Sequence, residues 1–436
     1  MQAESIETIL EDGKRKWALF SEPFNSPPNK REGNSAEARR IVAVIREMAL
    51  PFPLTYYFMK EESVRAGFEN LKAYVGDWVP KTHDVIKGHS GKWWLPSLFR
   101  GKPRQFITKP MDWWRIDVIV DWFTEYERIS AKKEYAPSPN ESWQDDKVLT
   151  KVVLTCSKKE NLDCASLRDA VYYAGRELGL FRCTRAKSLL EEILGGDLKG
   201  RRWLDMSAGW GDRLMTACAL EMNYVAFDPN RNLEHGHSKM IAMFGSGRQR
   251  VHYHAFQTDD TAKLLEMDVR ERGAFDISLI SPPFYIIERY RGDGQSTETY
   301  PELDDWIVKF LFKSLSTIWR FLKDGGYLAI NMGNIRDCDI TGPMQLFIED
   351  FLPGCHWEGM LTFSNKGVQE VPGITYVWRK SGEDRKQLWN PKIVRSLKLL
   401  FPKLHSLWLN ESDFIINSTQ PPKEIDEKKA GQNEPN

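Results

Sequence analysis

The chain has 436 residues and a mass of 50.6 kDa, is 41% hydrophobic and 28% charged, and sets 61 Lys+Arg against 61 Asp+Glu. That length sets a prior of two or three domains, and the composition supports a sizeable core and excludes global disorder. Zero net charge excludes a uniformly basic, histone-like binder while leaving room for a local basic patch.

No run of 18 apolar residues is present, so no membrane span is expected. The opening MQAESIETILEDGKRKW carries acids and lacks an apolar stretch, so it does not read as a signal peptide. Cys156, Cys164, Cys183, Cys218, Cys338 and Cys355 form no CxxC pair, which favours free or buried thiols over a zinc site or a disulfide framework. The expectation is a soluble intracellular enzyme without a metal.

Residues 1–150 mix short helical patterns, at 36–48 and 61–75, with loops rich in Pro and Trp, and 112–130 reads as an amphipathic helix. Between them, 81–110 holds seven Lys/Arg against one acid, Asp84. Helical patterns at 165–178 and 184–194 then lead into β-rich runs at 202–207, 224–228, 251–256, 275–280 and 327–332, with helical stretches between them, notably 304–322. Strands alternating with helices imply an α/β fold with a doubly wound, mostly parallel sheet. Runs at 357–363 and 374–378 have no useful helix between them and predict an antiparallel hairpin at one edge. A basic helical stretch at 391–409 and a polar, disordered tail from about 418 close the chain. The expected division is 1–150, 151–385, 386–417 and 418–436.

The strongest local signal is W-L-D-M-S-A-G-W-G-D-R-L from Trp203. An apolar strand runs into Asp205, then Ser207, Ala208, Gly209, Trp210 and Gly211, and a helical pattern follows. The two glycines permit a sharp turn and close approach of a ligand to the backbone. No Gly-Lys-Ser/Thr follows, so this is not a phosphate-binding P-loop, and the three-glycine dinucleotide fingerprint is missing too, which disfavours NAD. A second strand ends in Asp228, 23 positions after Asp205. An acid there suits two ribose hydroxyls, or else caps the turn that follows it.

The strand F-D-I-S-L-I runs into Ser281-Pro282-Pro283-Phe284-Tyr285. Two prolines cannot continue the ladder, so the chain leaves the sheet at the edge where open α/β sheets bind ligands. The D-x-S-A-G-x-G turn resembles motif I of class I S-adenosylmethionine-dependent methyltransferases. Ser-Pro-Pro-Phe resembles motif IV of the members that methylate amino nitrogens of planar groups: adenine N6, cytosine N4 and some glutamines.

This resemblance covers about 200–380. It implies a Rossmann-like fold, a mostly parallel seven-stranded sheet with a C-terminal antiparallel hairpin. S-adenosyl-L-methionine would be the cofactor, held by Asp205, Ser207, Ala208, Gly209, Gly211 and Asp228. Asp205 would reach its amino group, and Asp259 is a weaker candidate for its adenine. Ser281, Pro282, Pro283 and Phe284 would be catalytic and Tyr285 would lie against substrate.

Chemistry accounts for the residue types. An exocyclic amine on a base is a poor nucleophile because its lone pair is delocalised. Ser281 Oγ and the Pro282 carbonyl would accept its two hydrogens and favour a pyramidal nitrogen. The prolines fix φ and lack N–H groups, so the acceptors are preorganised, and Phe284 offers a stacking face worth ~1–3 kcal/mol per base. Serine in first position leaves adenine and cytosine open, with adenine N6 preferred. No Pro-Cys dipeptide is present, which excludes methylation at cytosine C5 through a Cys nucleophile.

About 69 residues separate Gly211 from Ile280, so no recognition domain is inserted there. Recognition of DNA or RNA then falls to the flanks, and the basic, aromatic run with Lys92, Trp93, Arg100, Lys102 and Arg104 is the candidate surface. Trp93 and Trp94 are equally open as core residues. The loop 288–305 is open between closing over a flipped base and ordinary surface. His235, His237, His252 and His254 read as structural more readily than as a metal site. Two alternatives stand beside the main reading: a protein glutamine methyltransferase, and an inactive subunit that binds nucleic acid. The intact Asp205, Gly209, Gly211 and Asp228 argue against the second.

Overall fold

The computed structural model describes residues 5–21, 35–76, 78–80, 105–108, 116–158, 162–175, 178–334, 338–363, 374–382 and 396–415. Its strands, in chain order, are β1 (Trp78–Pro80), β2 (Gln105–Thr108), β3 (Lys132–Lys133), β4 (Arg202–Asp205), β5 (Asn223–Phe227), β6 (Gln249–His252), β7 (Phe275–Ile280), β8 (Glu288–Arg289), β9 (Leu322–Asn331), β10 (Cys355–Phe363) and β11 (Ile374–Lys380). Nine of them form one sheet in the order β1-β2-β10-β11-β9-β7-β4-β5-β6. β6, β5, β4, β7 and β9 are mutually parallel, and β11 runs antiparallel to both β9 and β10. This is the Rossmann-like arrangement the sequence predicts, with its antiparallel hairpin at one side.

Successive strand residues face opposite sides of the sheet. Trp203, Tyr224, Ala226, Ile277, Ala329 and Val377 join one apolar cluster, while Leu204, Val225, Phe227, Ile280, Leu328, Tyr376 and Trp378 join another on the opposite face. Parallel strands covered on both sides favour near-continuous apolar runs, which β5 supplies after Asn223; β4 is buried throughout but carries Arg202 and Asp205 at its ends.

The second cluster is completed by helices within the sheet's own βα units and by the C-terminal helix: Trp306, Leu315, Phe347 and Trp408. The first is completed by residues from the start of the chain, among them Trp17, Ile45, Phe52, Leu71, Phe123 and Trp143. The N-terminal region is therefore a layer on the sheet. The boundary expected at 150 falls inside the helix Asp146–Lys158, whose buried Leu149, Val152 and Val153 belong to that same cluster.

Other departures have local causes. β1 and β2, not expected, extend the sheet beyond β10 and cover what would be an open edge. The third strand of the βα series ends at His252, not at 256, because Tyr253–Gln257 leave the sheet before Thr258 caps the next helix. The stretch 304–322 is helical but passes through a π-helical segment, Trp306–Phe312, whose wider turn seats six buried residues. Within 112–130, residues 116–130 are described: a short 3-10 turn, Asp117–Val120, precedes the helix Asp121–Arg128. At the C terminus, Pro402 opens a fresh helix after the short turn Leu397–Leu400.

Strand order reverses between β4 and β7. The crevice beyond the carboxyl ends of β4, β5 and β7 is thus the topological switch point, where open α/β sheets bind ligands.

Candidate active site

The glycine turn follows β4. Gly209 and Gly211 both have positive φ, 59° and 102°, a backbone that favours glycine, and a Cβ on Gly211 would also crowd Met240 Cε at 2.7 Å. Asp205 lies beneath the turn and is fully buried. Its Oδ2 accepts from Arg213 Nε (2.6 Å) and from the Tyr224 hydroxyl (2.7 Å), and its Oδ1 accepts from Ser207 N (3.1 Å). Arg213 also donates to the Ser207 carbonyl. Burial pushes the Asp205 carboxyl up, with Arg213 opposing. Asp205 thus braces the turn from inside the protein, and the expected reach to a ligand's amino group is not met by this side chain.

His237, also fully buried, supports the turn from the helix after β5. Its Nε2 lies 3.0 Å from the Gly209 carbonyl and its Nδ1 3.1 Å from the Tyr253 hydroxyl. Burial lowers its pKa to about 4, so the ring is neutral. A carbonyl can only accept, so Nε2 carries the hydrogen and Nδ1 accepts from Tyr253.

Asp228 stands just past β5 and is 8% exposed. One oxygen accepts from Gly209 N (2.8 Å) and the other from Asn230 N (3.0 Å). The side chain therefore both caps its own turn and ties the glycine turn to it. A carboxylate offers about four lone-pair directions, so acceptor capacity is left on both oxygens. Burial raises its pKa to about 6, against the two backbone hydrogen bonds.

The Ser-Pro-Pro-Phe turn meets the glycine turn directly: Ser207 Oγ donates to the Ser281 carbonyl at 2.9 Å. Ser281, Pro283 and Phe284 are partly exposed and Pro282 is buried. Among the described residues neither Ser281 Oγ nor the Pro282 carbonyl has a hydrogen-bond partner. Tyr285 differs from its expected role. It is 7% exposed with a left-handed φ of 42°, its hydroxyl donates to the Pro301 carbonyl, and its ring packs 5.5 Å from Trp306. It anchors the turn to the core and presents no face to a substrate.

The loop after Phe284 packs on the rim. β8 pairs with β3, Glu134 N donates to the Ile287 carbonyl (3.0 Å), and Arg291 donates to Ser130 Oγ (3.2 Å). A Cβ on Gly292 would lie 2.8 Å from Asn230 Oδ1. A small apolar cluster of Ala131, Leu178, Trp210 and Leu233, with Tyr253 and Tyr290 against it, joins this loop to both turns. The helix Asp121–Arg128 binds the same turns: Thr124 Oγ1 donates to the Trp210 carbonyl (2.7 Å), and Glu127 Oε1 accepts from Asn230 Nδ2 (3.1 Å) and Asn232 Nδ2 (3.2 Å). No sequence signal marks Thr124 or Glu127, because their partners lie far along the chain; His237 has the structural role expected of it, and Tyr290 lies in the loop 288–305 left open above.

Asp259 opens the helix Asp259–Arg272 with its side chain 55% exposed, 3.7 Å from Lys313 Nζ. Lys92, Trp93, Arg100, Lys102 and Arg104 lie outside the described residues. Among the described residues no group of three or more His, Cys, Asp or Glu is placed to hold a metal ion, and no helix is long and apolar enough to cross a membrane.

No protein-family model and no curated protein matches the chain. Among solved structures, it is similar to TrmN from Thermus thermophilus, at 17% identity, covering 45% of this chain and 48% of that one, with a TM-score of 0.30. It is similar to an rRNA methylase from Streptococcus thermophilus at 13% identity, covering 45% and 97%, with a TM-score of 0.31. A methyltransferase homolog protein from Pyrococcus horikoshii matches at 15% identity, covering 45% and 66%, with a TM-score of 0.33. The chain spans 48% of the length of the first of these.

Proposed function

We propose that this chain is an S-adenosylmethionine-dependent methyltransferase acting on an exocyclic amino nitrogen of a base in nucleic acid, with adenine N6 preferred to cytosine N4. The observation that carries this reading is the Ser207–Ser281 hydrogen bond of 2.9 Å. It joins the glycine turn to the proline turn at the switch point, beside two polar acceptors that have no partner among the described residues.

The residues present fit the cofactor. Asp228 keeps acceptor capacity for two ribose hydroxyls, and Gly209 and Gly211 leave the backbone bare at two positions of the turn. When bound, the cofactor supplies an electrophilic methyl group on a sulfonium centre. Ser281 Oγ and the Pro282 carbonyl hold the two hydrogens of the incoming amine and draw its lone pair out of conjugation with the ring. Pro282 and Pro283 keep those acceptors still. Phe284 stacks on the base, and Tyr285, pinned to Pro301 and Trp306, fixes the direction in which the turn leaves the sheet. Duplex substrate requires the base to be flipped out, at a cost of a few kcal/mol.

The test is incubation with methyl-labelled cofactor, separation of DNA, RNA and protein, and digestion of the labelled polymer to nucleosides. The expected product is an N-methylated base, with labelling reduced on the order of 10²-fold or more in Pro282→Ala and reduced in Phe284→Ala. Label confined to glutamine in the protein pool overturns the substrate assignment. Absence of label together with absence of cofactor binding overturns the activity.

A further inference from the structure

The strand after the proline turn carries a carboxylate that the chemistry above does not use. Glu288 lies in β8 and Tyr290 just beyond it; their hydroxyl–carboxylate contact puts the two side chains on one side, while Arg289 between them is exposed. That side faces the glycine turn. The Tyr290 ring lies 5.8 Å from the Trp210 ring and within electrostatic range of Asp228 and Arg213. The Tyr290 hydroxyl donates to Glu288 Oε2, and Glu288 Oε1 has no hydrogen-bond partner among the described residues. Both side chains are partly exposed. Burial raises the Glu288 carboxyl above its ordinary range, opposed by Tyr290 and by Lys133.

With Asp205 sealed under the turn by Arg213, Tyr224 and Ser207, a cation brought to the upper side of that turn needs another anionic partner. We propose that Glu288, oriented by Tyr290, binds the α-ammonium group of the cofactor's amino-acid portion. This rests on the function proposed above. The acid then comes from the strand that the N-terminal layer pairs with, not from the motif that leads into the glycine turn. Loading the cofactor is coupled to how β8 sits on β3.

The experiment compares two probes by calorimetry: S-adenosylhomocysteine, and the same molecule with its α-amino group replaced by hydrogen. A charge-assisted hydrogen bond at this site makes the protein prefer the amino-bearing probe by roughly 10- to 100-fold. In Glu288→Gln the preference is expected to fall to about threefold or less, with affinity for the deaminated probe unchanged. In Tyr290→Phe, which keeps the carboxylate and removes only its orienting hydroxyl, the preference is expected to fall by about threefold. Equal weakening of both probes, or an unchanged preference, overturns the assignment of Glu288 while leaving the methyltransferase reading intact. If the unaltered protein binds neither probe, the function itself falls and this inference with it. Should Glu288→Gln not fold, Tyr290→Phe decides alone, an unchanged preference counting against the proposal.

Discussion

Asp121 and Glu125 in the N-terminal layer and Asp228 at the sheet rim are all buried carboxylates, yet they are held differently, by arginines in the layer and by backbone N–H groups at the rim. Asp121 meets Arg128 at 2.6 Å and Arg168 at 2.5 Å. Glu125 meets Arg168 Nε at 2.5 Å, the Tyr172 hydroxyl at 2.8 Å and Thr55 N at 2.5 Å. Both carboxylates there are paired with arginine. At the rim, each Asp228 oxygen takes one backbone N–H, and Ser281 Oγ and the Pro282 carbonyl take none among the described residues. A carboxylate paired with arginine is committed to the platform, whereas one held by backbone N–H groups keeps acceptor capacity for a ligand. The arginine-paired network builds the platform, and the backbone-held carboxylate lies at the switch point.

The comparison breaks most visibly at Arg168, which is 3% exposed. Arg168→Ala leaves Asp121 and Glu125 close together with Arg128 as their remaining cation, and removing one partner of a buried pair typically costs ~3–5 kcal/mol. Denaturant unfolding should show a loss of that size. A loss below about 1 kcal/mol, the value for exposed pairs, would mean that the network is hydrated and that the contrast with the rim is false.

At the rim the same kind of change acts on binding. Asp228→Ala is expected to weaken the cofactor roughly 10- to 100-fold in calorimetry, the worth of charge-assisted hydrogen bonds. The sign with pH follows from the raised pKa of about 6: the carboxylate is the accepting form, so affinity falls as pH drops through about 6, approaching tenfold per unit well below it. Asp228→Asn should flatten that dependence except for what Glu288 contributes. His237, at about 4, titrates below the window.

How much of this was legible in sequence follows from how local each interaction is. The βα order, the two turns and Asp228 were readable because each is written within one strand and the loop after it. The spacing of Asp205 says that it ends a strand but not that Arg213, eight residues onward on the next helix, and Tyr224, on β5, close over it. Tyr285 was misread because its adjacency to Phe284 hides a left-handed φ that sends it the other way. The N-terminal layer was unreadable as a layer. Its helices show apolar faces, but which surface they cover depends on contacts such as Gly236 against the Phe123 carbonyl, more than a hundred residues apart.

Asp212 sharpens the comparison because it sits where layer and sheet meet. It is 2% exposed and accepts from Arg182 N at 3.1 Å. Burial, with Asp117 and Asp121 nearby, raises its pKa to about 7, against Arg213 and Arg128. Its folded pKa lies above the unfolded value of about 3.9, so the folded state binds the proton more tightly. This group's contribution to stability therefore declines as pH rises from about 4 to about 7 and is level above that. Asp212→Asn keeps the acceptor for Arg182 and drops the charge. It should stabilise the protein by on the order of 2 kcal/mol at pH 8 and leave it nearly unchanged at pH 4. Equal effects at both pH values would show that the residue acts by shape rather than charge.

The finest distinction is whether the N-terminal layer merely holds the sheet or also sets the cofactor turn. Thr124 separates these, since its hydroxyl is buried and reaches the Trp210 carbonyl inside the glycine turn. Thr124→Val keeps the volume and the β-branch but deletes that donor, and a lost buried hydrogen bond is worth about 1 kcal/mol. If the layer sets the turn, part of that loss appears as cofactor affinity reduced by about threefold, because a freed Trp210 carbonyl lets the Gly209–Gly211 backbone relax. If the layer is scaffold alone, the melting temperature falls and affinity stays put. Glu127→Gln supplies the matching control at the second turn. It retains an amide oxygen that can still accept from Asn230 and Asn232, so its effect should be smaller than that of Thr124→Val, and a larger one would shift the weight from the glycine turn to the Asp228 turn.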